Sequence, residues 1–205
     1  MDFKIKICGL KYPDNYSAIS ELQPDYIGLI FYKKSLRYMK DTLTPTIVAD
    51  KKTKKVGVFV NASSDEVETI IQEYNLDAIQ LHGQESPEYC LKFKEQIQVI
   101  KAFSINNEFD FKETIPYENA CDQFLFDAKG EQAGGNGYAF NWQLLNSYER
   151  NIPFFLSGGI GLENIDEAIA INNTYLYGID INSRAEVSPG VKDIETVKQL
   201  INKLR

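Results

Sequence analysis

The sequence predicts a single-domain α/β protein, a (β/α)8 (TIM) barrel spanning residues 1–205. Three observations point there. About eight short apolar or β-branched runs recur along the chain, helix-like segments lie between them, and several runs close on a polar or reactive residue. At 205 residues the chain is near the small end for such a barrel, which typically needs about 250 residues, so its connections must be short.

The predicted strands are Phe3–Cys8, Tyr26–Phe31, Lys55–Val60, Ala78–Leu81, Gln98–Phe103, Gln123–Asp127, Ile152–Leu156 and Thr174–Asp180. Between them, Val67, Ile70, Ile71 and Tyr74 repeat at helical spacing after the cap-like Ser63-Ser64-Asp65-Glu66. Ser86-Pro87 opens another helix, with Pro in its first turn. A last helix is expected over Val191–Leu200, with Val197, Leu200 and Ile201 on one face. Asn106–Asn119 fits only a short or irregular helix. The glycine-rich stretch Ala128–Tyr138 reads as a mobile lid, because it is longer than an economical connection.

A net charge of −7 argues against nucleic acid or an anionic membrane as the main partner, since both select for basic surfaces. No run approaches the roughly 20 apolar residues of a membrane span, and Met1-Asp2-Phe3-Lys4 does not open a signal peptide. A cytoplasmic protein is therefore expected. Cys8, Cys90 and Cys121 are an odd number of cysteines, expected as reduced thiols. The single histidine, His82, cannot build a zinc site alone, so no metal is expected.

In parallel α/β folds, function gathers at the carboxyl ends of the strands. Cys8 closes the first run, where it either fills space or, as a thiolate, takes a proton from carbon. Asp127 closes the sixth, either as a cap or as a general acid. Arg37 suits a fork onto a carboxylate or phosphate, or else a surface ion pair. His82 reads as a hydrogen-bonding residue of the core or rim. After the seventh run, Ser157-Gly158-Gly159 combines a bare turn with a helix start directly behind it, which suits a phosphate. Asp180-Ile181-Asn182-Ser183 ends the neighbouring eighth run, and barrels often bind phosphate between these two strands.

An ordered series of motifs then resembles the phosphoribosylanthranilate isomerases of tryptophan biosynthesis over nearly the whole chain. It comprises Lys6-Ile7-Cys8-Gly9-Leu10, Ser35-Leu36-Arg37-Tyr38, Val56–Asn61, Ile79-Gln80-Leu81-His82-Gly83, Phe126-Asp127 before Gly134-Gly135-Asn136-Gly137, Ser157-Gly158-Gly159-Ile160, Gly178–Ser183 and Ser188–Asp193. The resemblance implies a (β/α)8 barrel without metal or organic cofactor, acting on a small phosphosugar. In that reading Asp127 is the general acid that opens the furanose, and Cys8 is the base that takes the C2 proton. Arg37 meets the anthranilate carboxylate, Gly135 and Gly137 belong to the substrate-covering loop, and Gly158, Gly159, Asp180 and Ser183 hold the phosphate.

The chain departs from the family pattern at Leu36, Tyr138, Asn141 and Arg184-Ala185, where Arg184 would add positive charge near the phosphate. Rival phosphosugar barrels fit less well. A metal-dependent epimerase needs more histidines, and the histidine-pathway isomerase uses two aspartates. A non-catalytic phosphate-ligand binding protein of the same fold is the other alternative. A monomer is the expected state, with a homodimer as the alternative.

Overall fold

The computed structural model describes residues 3–49, 53–128 and 141–205. Eight parallel strands close into a ring in chain order: β1 (Lys4–Cys8), β2 (Tyr26–Ile30), β3 (Lys54–Phe59), β4 (Ala78–Leu81), β5 (Gln98–Ile105), β6 (Gln123–Ala128), β7 (Phe154–Leu156) and β8 (Leu176–Ile181). The helices are α1 (Pro13–Glu21), α2 (Ser64–Tyr74), α3 (Pro87–Lys94), α4 (Ile165–Ile169) and α5 (Ile194–Leu204). An antiparallel ribbon, β9 (Glu186–Ser188) with β10 (Val191–Lys192), follows β8.

The predicted strands are all present, with ends shifted by one or two residues. Gly135, Gly137 and Tyr138 of the predicted lid lie outside the described residues. The irregular crossover is a 3-10 helix, Phe111–Tyr117, with Pro116 inside its last turn. The last helix starts later than expected. Val191 and Lys192 pair with β9, and Asp193 then caps the helix by accepting from the Thr196 N–H at 2.7 Å. α2 begins as the sequence suggests, with the Ser63 hydroxyl accepting from Glu66 N–H.

Alternation along each strand sorts side chains into two layers. Ile5 and Ile7 of β1 point outward and pack with Tyr16, Ile19, Val197 and Leu200 in the layer between sheet and helices. Inside the ring, Tyr26, Val56, Ala78, Ile100, Leu125 and Phe155 fill the lower lumen. Above them sit Cys8, Ile30 and Val58, at the ends of β1, β2 and β3. The floor of the site is thus a packed plug rather than a pore. Among the described residues no helix is long and apolar enough to cross a membrane.

Candidate active site

Cys8 is the last residue of β1 and is 3% exposed at the top of the lumen. Its room comes from Gly28, its register partner on β2. A Cβ added at Gly28 would lie 2.6 Å from the Cys8 sulfur, closer than any real contact. Gly9 follows with φ +83°, a left-handed turn that suits glycine. A Cβ there would meet the Arg37 side chain at 2.7 Å and the Asn182 carboxamide at 2.8 Å. Two glycines therefore let the thiol, the guanidinium and the amide approach one another.

Asp127 stands near the end of β6, three strands round the ring from β1, and is 5% exposed. Its Oδ1 accepts from the Ala128 N–H at 3.0 Å, and its Oδ2 lies 3.3 Å from His82 Nε2. His82 Nδ1 is in turn 2.7 Å from the Gln80 amide nitrogen. The histidine read as a core or rim residue therefore faces the carboxyl directly. Both ends of this chain, Gln80 and Asp127, occupy lumen-facing positions of β4 and β6.

Gly158 carries the β7 loop across this carboxyl. Its φ is +92°, and an added Cβ would be 2.6 Å from Ala128 N and 3.0 Å from Asp127 Oδ1. Gly159 also has positive φ, +66°. The helix expected directly behind the two glycines begins only at Ile165. Asn164 accounts for the delay, because its Oδ1 accepts from Gly161 N–H and its Nδ2 donates to Gly159 C=O, both at 2.8 Å. Those bonds knit residues 159–164 into a side-chain-braced turn.

One cleft of about 720 Å³, open mouth included, collects these groups. Cys8 and Arg37 line one wall, His82 and Asp127 the other, and Gly158, Gly159, Asp180 and Ser183 lie between them. Of the predicted site residues, only Gly135 and Gly137 are not brought together here, since they fall outside the described residues. Arg184 also lines the cleft, and its guanidinium pairs with Glu163.

Around Cys8 the charges are dense and internally paired. Lys6 and Asp180 are register partners on β1 and β8, and the Lys6 ammonium donates to Asp180 Oδ1 at 2.7 Å. Asp180 Oδ2 accepts from the Ser157 hydroxyl at 3.1 Å. Arg37 forks onto Glu186, with Nε 2.9 and 3.1 Å and Nη2 2.7 Å from its oxygens. Lys192, 2% exposed, donates to Glu186 Oε1 at 2.6 Å and to Asn182 Oδ1 at 2.9 Å. The Arg37 ion pair is real, then, but it belongs to the cleft wall and occupies one edge of the guanidinium.

These pairings set proton affinities. Burial works against the Lys6 ammonium, yet Asp180 and Cys8 outweigh it and hold the amine above its ordinary value. Burial, with Asp180 adding to it, holds the Cys8 thiol above its ordinary value, against the pull of Lys6 and Lys192. Burial also opposes the Glu186 carboxylate, but Arg37 and Lys192 bring it below the usual range. For Lys192 burial dominates and lowers the amine, against the pull of Glu186 and Cys8.

Sequence reasoning missed Lys6, Lys192, Glu186 and Gln80. For Lys6 a signal existed, because it has the same parity as Cys8 on β1 and must share its face. Glu186 and Lys192 sit in a ribbon after the last barrel strand, and no periodicity in two- and three-residue strands announces it.

Comparisons with known proteins bear on the family. The family model described as N-(5'phosphoribosyl)anthranilate (PRA) isomerase matches residues 5–203. The N-(5'-phosphoribosyl)anthranilate isomerase of Parabacteroides distasonis is 40% identical over 204 residues, covering 98% of this chain and 92% of that protein. Among solved structures, phosphoribosyl anthranilate isomerase from Thermotoga maritima superposes with a TM-score of 0.86 at 32% identity, covering 98% of both chains. A phosphoribosyl anthranilate isomerase in complex with reduced 1-(o-carboxyphenylamino)-1-deoxyribulose 5-phosphate gives 0.83 at 31% identity, again covering 98% of both. With the family model spanning almost its full length and a relative at 40% identity, this chain belongs to the N-(5'-phosphoribosyl)anthranilate isomerase family.

Proposed function

We propose that the chain isomerises N-(5'-phosphoribosyl)anthranilate to 1-(o-carboxyphenylamino)-1-deoxyribulose 5-phosphate, an Amadori rearrangement, in tryptophan biosynthesis. The observation that carries this reading is a thiol and a carboxyl, Cys8 and Asp127, on opposite walls of one cleft floored by an apolar plug. The substrate has an acid-labile ring oxygen at one side of its sugar and a C2 proton to lose. It therefore needs one acid and one base held apart.

Asp127 in its acid form gives a proton to the furanose oxygen, the C1–O bond breaks, and the nitrogen lone pair forms a protonated imine. The Cys8 thiolate then takes the C2 proton. The C2–H electrons move toward the positive nitrogen, and the resulting enolamine tautomerises to the 2-ketone. His82, against Asp127 Oδ2, orients that carboxyl and exchanges its proton. Arg37 presents its second edge to the anthranilate carboxylate. The β7 and β8 loops, at Gly158, Gly159 and Ser183, hold the phosphate, with Asp180 bracing Ser157 between them. Gly135 and Gly137 serve the loop that covers the substrate. The proposed setting is the cytoplasm, and the proposed unit a monomer with a homodimer as the alternative; light scattering of the purified protein separates the two.

The direct test follows loss of fluorescence from freshly made phosphoribosylanthranilate. Wild type should turn it over, while Cys8→Ala and Asp127→Asn should each lose about 10²–10⁴-fold in kcat with unchanged folding. A folded wild type without turnover overturns the reading; near-full activity in both variants leaves the substrate and removes the mechanism.

A further inference from the structure

We infer that Lys6 and Lys192 are positioning residues that favour the thiolate form of Cys8 in the working site. The inference deepens the isomerase reading, on which its catalytic meaning rests. It starts from a conflict in the chemistry. Rearrangement needs an ionised thiol and a protonated carboxyl, whereas free carboxyls ionise well before free thiols as pH rises. Something beside the sulfur must favour its anion.

The geometry around Cys8 supplies it from two directions. Lys6 lies two residues back on β1, on the same inward face as the thiol. Lys192 arrives from β10 and is fixed by Asn182 and Glu186. The Asn182 carboxamide is itself seated over Gly9, next to Cys8 in the chain. Both ammonium groups are fully shielded from water, so their fields act on the sulfur with little screening.

Asp180 on β8 works against that field and raises the thiol, while itself pairing with Lys6 and Ser157. From β2 the neighbours are Gly28 and Ile30, and from β3 Val58, none of them ionisable. Glu186 is shared between Lys192 and Arg37. His82 and Asp127 stand on the far wall. The unloaded cluster therefore holds three cations, Lys6, Lys192 and Arg37, against two carboxylates, Asp180 and Glu186. One positive charge is left over, and ionising Cys8 brings the cluster to neutrality.

The test measures the pH dependence of Cys8 alkylation by iodoacetamide, with the modified residue located by peptide mass. It compares wild type, Lys192→Met, Lys6→Met and Lys101→Met. Lys101 is another buried lysine, paired with Glu85 on the outer side of β5, and it serves as the structural control. Losing either Lys6 or Lys192 should raise the alkylation midpoint by about one unit or more, a tenfold slower reaction at a fixed pH below it. The acid limb of kcat/KM should move in the same direction. Lys101→Met should lower Tm and leave the Cys8 midpoint in place.

A folded Lys192→Met with the wild-type midpoint overturns the inference, as does an equal shift in Lys101→Met. If Lys6→Met fails to fold, Lys192→Met decides, because Glu186 keeps Arg37 as its partner there. The alkylation readout needs no substrate. A wild type that shows the shifts but no turnover of phosphoribosylanthranilate would therefore sink the isomerase reading while leaving the charge effect on the thiol standing.

Discussion

The two walls of the cleft are built on opposite principles. The Cys8 wall, from β8 round to β2, is crowded with buried ions in matched pairs: Lys6 with Asp180, and Glu186 with both Arg37 and Lys192. The Asp127 wall is backed by rings. Phe126, its neighbour on β6, packs against Phe103, Phe111, Tyr148 and Phe154 at centroid distances of 5.2–6.2 Å. Among the described residues, the ionisable side chain within ion-pair distance of Asp127 is His82. One wall thus sets cations beside the sulfur, while the other sets a carboxyl against rings and an imidazole. In the proposed mechanism, environment, rather than residue type, divides the base role from the acid role.

Three substitutions break or sharpen this contrast. The largest effect is expected from Asp180→Asn, which leaves the fully buried Lys6 ammonium without its carboxylate. Removing one partner of such a pair costs about 3–5 kcal/mol, read as the denaturation midpoint in urea. An unchanged midpoint would mean that the ionic wall is not a paired structure at all.

Glu186→Gln is next, and its effect should depend on pH. The folded carboxyl lies below its ordinary value, about 4.3 in a free chain. Its stabilisation is therefore complete above that value and disappears as pH falls through the folded pKa. The variant should be less stable than wild type by about 2–3 kcal/mol at pH 7. The gap should close in acid, below roughly pH 4. A gap that stays constant with pH would assign Glu186 a packing role only.

The smallest effect is expected on the aromatic wall. Phe126→Leu removes ring contacts from a side chain with no exposure, for a cost of about 1–2 kcal/mol. That loss should be the same at pH 5 and pH 8, because no ionisable group leaves with the ring. A strong pH dependence here would erase the distinction between the walls.

How much of this was legible follows from what each signal encodes. Cys8, Asp127, Gly158 and Ser183 could be placed because each sits at the end of an apolar run, and parallel barrels expose strand ends at one mouth. The ionic wall could not be read the same way. In Lys4-Ile5-Lys6-Ile7 the alternation looks like a strand with its lysines in water. A closed ring reverses that reading, since the isoleucines face the helices and Lys6 faces the lumen. Glu186 and Lys192 lie in a short ribbon whose pairing is fixed by tertiary contact, including Asn15 of α1, which bonds Lys192 through both its backbone N–H and its C=O. The glycine turn was found, but the helix behind it was placed too early, because the Asn164 side chain looked like any polar loop residue.

The pairing of Lys6 with Asp180 joins positions 174 residues apart in the chain. It forms where β1 meets β8, the seam at which the ring closes. During folding, no partly built sheet can offer Cys8 this surrounding, however well the parallel β1–β2 pair has formed. The surroundings of the Cys8 sulfur and the seam therefore mature together. A folding intermediate with an open ring would carry an ordinary cysteine, and the appearance of a distinct thiol would mark the moment the barrel shuts.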